Sequence, residues 1–318
     1  MNIGIIIDME NGRVKDADFG MITLARQTGD AVLYALVPGA ADTAAAETLS
    51  SYGIDVIAEI ALPEDPGTRL NPDVRARALT AAARELALDM IFGLSTAEGR
   101  DLIPRVAAII DAPLVMDCTD VKPVEKIART SQYSGKVTAD IRVTGDCPVF
   151  GIRPNSAPPA LSPREARPVS VDCTALTSSG LTLTAWDEAA ADGELPSLAE
   201  ADIIVAGGRG MQGGENFSLL FDCAKKLNAA VGASRAAVDE GWIPYAHQVG
   251  QTGEKVSPSI YLAFGISGSV QHFAGMKTSG TIIAVNTDEN AAMMANADYY
   301  INADLFEILP ELIRQLDE

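Results

Sequence analysis

At 318 residues the chain is long enough for two domains, each with its own core. It carries 24 Lys and Arg against 43 Asp and Glu, a formal charge of −19, and without a basic patch that balance disfavours nucleic-acid binding. Four widely spaced cysteines (Cys118, Cys147, Cys173, Cys223) argue against a zinc or iron–sulfur site and suit a reducing compartment, and two histidines (His247, His272) exclude a metal site built from three or more.

The first segment, Asn2 to Asp8, enters at once as a strand, with no basic leader and no cleavage signature. A cytoplasmic protein is expected. Further strands are read at Ala31 to Val37, Ile54 to Ile57, Met90 to Gly93 and Pro113 to Val115, alternating with helices at Phe19 to Gln27, Ala41 to Tyr52, Pro72 to Leu88 and Leu102 to Ile110. This βαβα rhythm, in a chain that is 47% hydrophobic but only 5% aromatic, implies a parallel sheet with helices on both faces. From Val121 to Val171 the runs shorten, at Lys136 to Val143 and Val149 to Arg153, and read as an antiparallel extension of that sheet.

Asp187 to Glu200 contains Gly193 and Pro196, has no helix or strand period and reads as a linker. The βαβ rhythm then restarts with Ile203 to Ala206, and a helix from Glu215 to Leu227 places Phe217, Leu220, Ala224 and Leu227 on one face. Strands follow at Ala229 to Val231, Ile260 to Phe264, Thr281 to Val285 and Tyr299 to Ile301, and a last helix at Leu305 to Leu316. The uncharged stretch Val256 to Met276 is long enough to span a bilayer, but Ser, Gly, Gln, Pro and His interrupt it. It reads as a buried strand plus a ligand loop, so the chain is not expected to be membrane-embedded.

Four loop signals punctuate this second part: Gly207-Gly208-Arg209-Gly210, Gly232-Ala233-Ser234-Arg235, Gly250-Gln251-Thr252-Gly253 and Gly265-Ile266-Ser267-Gly268. Glycine permits close backbone approach and positive φ, while hydroxyls and backbone N–H groups at a helix start favour anionic oxygens. Any one such loop is as readily a plain βα turn. Together they point to a surface for a phosphate-bearing cofactor, although the spacing is not the G-x-G-x-x-G of the common dinucleotide fingerprint. Arg235 is equally placed to clamp a phosphate, to stack on a planar ring or to pair with Asp239. Asn286 and Asp304 sit at strand ends, where they also serve as routine helix caps. No Ser/His/Asp or Cys/His order, no P-loop lysine and no metal-ligand spacing appears, so neither a catalytic nor a metal residue is assigned.

The segment Gly207 to Leu312 resembles the C-terminal domain of the electron transfer flavoprotein alpha-subunit family. The resemblance is carried by Gly-Gly-Arg-Gly (207–210), Gly-Glu-Asn-Phe (214–217), Val-Gly-Ala-Ser-Arg-Ala-Ala-Val-Asp (231–239) and Gln-Val-Gly-Gln-Thr-Gly (248–253). It continues through Gly-Ile-Ser-Gly-Ser-Val-Gln-His (265–272), Ala-Gly-Met-Lys (274–277) and Ala-Asp-Leu-Phe (303–306). The N-terminal part is similar more loosely, through its opening strand and Ile152-Arg153-Pro154. Glu254, His247 and Thr287-Asp288-Glu289-Asn290 depart from the family's common pattern.

That resemblance implies one noncovalent FAD, held by Arg209, Ser234, Arg235, Val249, Gly250, Gln251, Thr252, Ser267, Gly268, Ser269, Val270, Gln271, His272, Asn286, Asp304 and Leu305. Ser267 to Gln271 and Asn286 would face the pyrophosphate and ribityl region, Asp304 the adenosine end, and Arg235, Thr252 and His272 the isoalloxazine. A guanidinium and a donor beside the ring favour the negative charge that arrives with an electron.

The implied fold is α/β in two domains, each with a mainly parallel sheet flanked by helices. Residues 1–186 form a nucleotide-binding-like domain without a cofactor that contacts a beta subunit, 187–200 the linker, and 201–318 a Rossmann-like FAD-binding domain. The implied function is an electron carrier, not an enzyme. It would act as a heterodimer with the beta subunit, between a flavin dehydrogenase donor (such as an acyl-CoA dehydrogenase) and an acceptor oxidoreductase. The alternatives are the alpha subunit of an electron-bifurcating flavoprotein with a second FAD in beta, a free-standing flavin-dependent enzyme, and a nucleotide-sensing scaffold.

Overall fold

The computed structural model describes residues 1–10, 12–133, 137–177, 180, 184–185 and 195–316. The chain divides into two compact units, Met1–Ser131 with Thr138–Glu188 and Gln132–Val137 with Ala189–Glu318.

In the first unit the strands run β1 (Asn2–Ile6), a small antiparallel pair β2 (Met9–Glu10) and β3 (Arg13–Val14), β4 (Val32–Pro38), β5 (Val56–Ala61), β6 (Met90–Leu94), β7 (Leu114–Lys122), β8 (Ile127–Gln132), β9 (Val137–Arg142), β10 (Val149–Ile152) and β11 (Arg167–Asp172). The helices are α1 (Asp16–Ala25), α2 (Thr43–Ser51), the one-turn α3 (Pro66–Arg69), α4 (Pro72–Glu85) and α5 (Ala97–Ile110). The large sheet has the order β11-β5-β4-β1-β6-β10-β7-β8-β9.

All pairings from β11 to β7 are parallel, and β7 with β8 is antiparallel. β6 and β10 are buried at every residue and β1 at all but its first, as strands covered on both faces must be. Alternate residues serve two cores. Ile3, Ile5, Leu33 and Phe150 pack with Phe19 and Ile22 of α1 on one side. Ile6, Leu36, Ile91 and Val149 pack with Leu79 of α4 and Val106 of α5 on the other.

Two readings of this region change. Val149–Ile152 is not part of an antiparallel extension: it inserts in parallel between β6 and β7. β11, not read from the sequence, adds in parallel to β5 at the far edge. A short apolar run is compatible with either sense of pairing, and only the neighbour decides. Helix α5 also begins a turn earlier than the apolar period suggests, because Thr96 caps it by accepting from the Gly99 N–H at 3.2 Å.

The second unit holds β12 (Ile203–Gly207), β13 (Ala230–Ala233), β14 (Ile260–Phe264), β15 (Thr281–Asn286) and β16 (Tyr299–Asn302). Its helices are α6 (Phe217–Leu227), α7 (Arg235–Asp239), α8 (Val270–Met276), α9 (Ala292–Asn296) and α10 (Leu305–Gln315). Its sheet is wholly parallel, in the order β13-β12-β14-β15-β16. Ile204, Ala206, Tyr261 and Ala263 pack towards Met276 of α8 and Met293 of α9. Val205, Val231, Phe264 and Val285 pack towards Leu220 of α6 and Leu309 of α10.

The stretch from Val256 to Met276 is therefore a strand, a loop and a seven-residue helix. No helix among the described residues is long and apolar enough to cross a membrane. Of the segment read as a linker, 187–194 lies outside the described residues. Of the remainder, Leu198 packs in the second unit's core.

Candidate functional site

In the second unit's strand order, β12 is flanked by its successor β13 on one side and by β14 on the other. An open parallel sheet binds ligands at the carboxyl ends of the strands where the order reverses in this way. The chain there is built for backbone contact. The Gly208 N–H donates to the Phe264 carbonyl at 2.9 Å and the Gly210 N–H to the Gly265 carbonyl at 3.0 Å. A Cβ on Gly208 would lie 2.3 Å from the Gly265 oxygen, and Gly265 itself has φ +61°, so the two strand-end loops close on one another only as glycine.

Three further segments complete the walls. After β13, the Ser234 hydroxyl caps α7 by accepting from the Ala237 N–H at 3.4 Å, and Arg235 follows. The 248–254 turn is closed by the Glu254 N–H on the Gln248 carbonyl at 2.7 Å and the Gly250 N–H on the Glu254 carbonyl at 3.1 Å. It is tied to α8 by the Gln251 N–H on the Gln271 carbonyl at 2.8 Å. At the end of β15, the Asn286 side chain donates to the Ile266 carbonyl at 3.1 Å and accepts from the Asp288 N–H at 3.0 Å.

These segments enclose a cavity of about 610 Å³, within the range of small-molecule and cofactor sites. Its walls include Arg209, Ser234, Arg235, Val249, Gly250, Gln251, Thr252, Ser267, Gly268, Ser269, Gln271, His272 and Asn286. Val270, Asp304 and Leu305 do not line it. Val270 faces solvent and Leu305 is buried in the core. The Asp304 carboxylate caps α10 by accepting from the Phe306 N–H at 2.9 Å, which is the ordinary use of an Asp at that point.

The wall also takes in Gly210, Ala236, Gln248, Gly265, Ile266, Asp288 and Ala291. Most of these stand inside the glycine motifs and could have been found from them. Asp288 and Ala291 carry no signal beyond lying close after Asn286.

Arg235 satisfies two of its three readings in part. It lines the cavity, yet its side chain is 68% exposed and its Nε lies 3.2 Å from Asp239 Oδ2, one helical turn on. His272 is the opposite case, at 5% exposure. Its Nε2 stands 3.0 Å from the Tyr261 hydroxyl, while Nδ1 is buried with no hydrogen bond of ordinary length and angle among the described residues. Burial drives its pKa from 6.5 down to about 4, opposed only in part by a hydrogen-bonding contact with the Val249 backbone, so it is neutral at physiological pH. His247 lies off the cavity wall, with its Nδ1 2.8 Å from the Val231 carbonyl and its ring edge-on to Phe221. The helix-start argument for an anion site weakens at α8. It is seven residues long, and its Ser269 hydroxyl already caps the His272 N–H at 3.3 Å.

Residues 3–179 match the electron transfer flavoprotein domain, and residues 197–277 match the electron transfer flavoprotein FAD-binding domain. The chain belongs to the electron transfer flavoprotein alpha-subunit family. The mitochondrial alpha subunit of Oryza sativa subsp. indica is 43% identical over 233 residues, 72% of this chain and 65% of that protein. The probable mitochondrial alpha subunit of Caenorhabditis elegans is 35% identical over 98% of this chain and 92% of its own length. The alpha subunit of Mycobacterium leprae (strain TN) is 36% identical over 97% and 96%. The match thus takes in just under two thirds of the rice protein's length and nearly all of the other two.

The cofactor of the matched domain is FAD, and the residues present fit it. In a chain of charge −19, the cavity wall bears two arginines against one aspartate, which suits a pyrophosphate. The glycine contacts leave backbone rather than side chains at the strand ends.

Proposed function

We propose that this chain is an FAD-carrying electron carrier that works as a heterodimer with a beta subunit. It would take electrons from flavin dehydrogenases, such as acyl-CoA dehydrogenases, and pass them to an acceptor oxidoreductase. The observation that carries the reading is the cavity at the strand-order reversal of the second unit. When bound, FAD supplies the redox chemistry, and the chain's part is to hold it. Arg209 and Arg235 supply positive charge at the rim. Ser267, Gln271 and Asn286 offer hydrogen bonds along a polar ligand, and Thr252 and His272 offer a hydroxyl and a ring nitrogen.

A carrier needs no general acid or base, and the wall provides no pair suited to one. Its titratable side chains are two arginines, Asp288 and a neutral His272. On this reading residues 1–186 contact the beta subunit, residues 187–200 join the units and residues 201–318 hold the cofactor. The chain works in the cytoplasm, outside any membrane. The test is the flavin content of the chain co-purified with its beta partner. One FAD per heterodimer supports the proposal, two favour the electron-bifurcating alternative, and none overturns it.

A further inference from the structure

Asn286, the last residue of β15, and Asp288 stand on the cavity wall, and Thr287 to Asn290 form an exposed loop. Asn302, the last residue of β16, is the partner of Asn286 across the parallel ladder and lies off the wall. Its Nδ2 donates to two successive carbonyls, Asn286 at 3.0 Å and Thr287 at 3.2 Å. Only the nitrogen end of an amide can meet two carbonyl oxygens, so these partners set the orientation of the Asn302 side chain. The Asn286 amide is oriented likewise. The Ile266 carbonyl requires its N–H and the Asp288 N–H requires its oxygen, and turning the amide over would lose both bonds. Further along, the Asp288 carboxylate accepts from the Asn290 N–H at 3.0 Å and the Asp288 carbonyl from the Ala291 N–H at 3.1 Å.

We infer that Asn302 is a positioning residue for the cavity: from outside the wall it holds the backbone at 286–287, and so keeps Asn286 and Asp288 in one arrangement on the wall. This rests on the FAD reading given above. The bonds from Asn286 to Asp288, from Asp288 to Asn290 and from Asp288 to Ala291 span two or three residues. Such bonds shape the loop but do not place it. Placement comes from ties to other segments, and Asn302 supplies two of them from β16 while Asn286 supplies one to Ile266. Without the Asn302 donors, ordering the loop falls to the binding step and weakens it.

The test uses the full chain in complex with its beta partner, freed of flavin and then titrated with FAD. Asn302→Asp keeps the size of the side chain but sets acceptors against two carbonyls, and Asn302→Gln returns the amide on a stem one methylene longer. Asn302 is exposed, so the flavin-free variants should unfold close to the parent. In Asn302→Asp, hydrogen exchange followed by mass spectrometry should speed up in the peptide covering 286–290. Flavin fluorescence should show FAD binding weakened by roughly threefold to tenfold, the cost of ordering one more side chain on binding. Asn302→Gln should recover part of both.

Unchanged exchange at 286–290, or unchanged FAD affinity, in Asn302→Asp would overturn the proposal. So would faster exchange throughout the second unit with a lowered unfolding temperature and no recovery in Asn302→Gln, which is the pattern of a purely structural residue. Should Asn302→Asp not fold, Asn302→Ala removes the donors without adding charge and is read by the same criteria. A parent that takes up no FAD would count against the cofactor reading instead, while exchange at 286–290 still decides whether Asn302 holds the loop.

Discussion

The Gln248 side-chain amide donates to Thr252 Oγ1 over 3.1 Å, a bond made inside a single turn. Gln248 is buried at 3% exposure, and its backbone closes the same turn through Glu254. Because Oγ1 accepts from Gln248, the hydroxyl proton of Thr252 is free to point elsewhere. Gln248→Met should therefore cost about 1 kcal/mol of stability and disproportionately weaken FAD retention. Urea unfolding beside a flavin fluorescence titration checks this. Equal affinity in the two proteins would mean that the Thr252 hydroxyl does not depend on Gln248.

Gly208→Ala should be far worse than an average glycine replacement. The added Cβ would meet the Gly265 oxygen at 2.3 Å and Ile266 Cα at 2.7 Å, both backbone, so the two strand-end loops must separate. A loss of about 1–3 kcal/mol from overpacking and a collapse of cofactor binding are expected. Gly241→Ala is the comparison: with φ +73° but no atom within 4 Å of the new Cβ, it should cost about 1–2 kcal/mol and leave FAD binding intact.

Arg235→Ala is expected to be mild in stability, because its pair with Asp239 is between two exposed side chains. Exposed pairs contribute about 0–1 kcal/mol. The same screening limits its effect on the cofactor. If the guanidinium favours the electron's charge, the first-electron potential should fall by roughly 10–40 mV, the one-electron equivalent of such an energy. Arg235→Lys should restore only part of it, since a flexible point charge does not stack on a ring. Spectroelectrochemistry at low and moderate salt reads both effects. A potential identical to the parent's at both salts would leave Arg235 as a partner of Asp239 and nothing more.

His272 titrates near 4 in the folded chain against an ordinary 6.5. Protonation therefore favours the unfolded chain. The stability gained by keeping the ring neutral is whole above about pH 6.5 and is lost as the pH falls from there through 4, by up to about 3 kcal/mol. Subtracting the pH profile of His272→Gln from that of the parent isolates this change from the carboxylates. A flat difference between pH 7 and 4 would mean that His272 is not buried as a neutral ring.

Arg153 and Asp117 form a two-pronged pair, with both bonds at 2.8 Å and the guanidinium side chain 2% exposed. Arg153→Leu takes the guanidinium away from a carboxylate that is itself mostly covered, so a loss of about 3–5 kcal/mol is expected. Thermal unfolding measures it. Because the pair lies in the first unit, far along the chain from the cavity residues, FAD uptake by the surviving folded protein should be unchanged.

Local chemistry made much of this molecule readable before any coordinates. The alternation of apolar runs with amphipathic stretches reports the face that each element buries, and it located β1, β4, β6, β12, β14 and β15 to within about two residues, the usual precision of element boundaries. The glycine-bearing turns at 207–210, 250–253 and 265–268 announced close backbone approach because few other residues tolerate it. Thirteen of the residues named from the resemblance stand around one cavity.

What periodicity does not contain is the identity of the neighbour. The parallel insertion of Val149–Ile152 between β6 and β7, and the docking of Arg167–Asp172 on β5, depend on pairings between segments distant in sequence. The bond between Tyr261 and His272 is of the same kind. A tyrosine inside an apolar strand looks like core until the helix that follows sets a ring nitrogen against its hydroxyl. The sequence by itself determined which segments form strands, helices and tight turns, since those follow from local sterics and burial. The tertiary structure alone decided which turns share a wall and which polar atoms are left inside it, because both depend on distances between segments that no local pattern encodes.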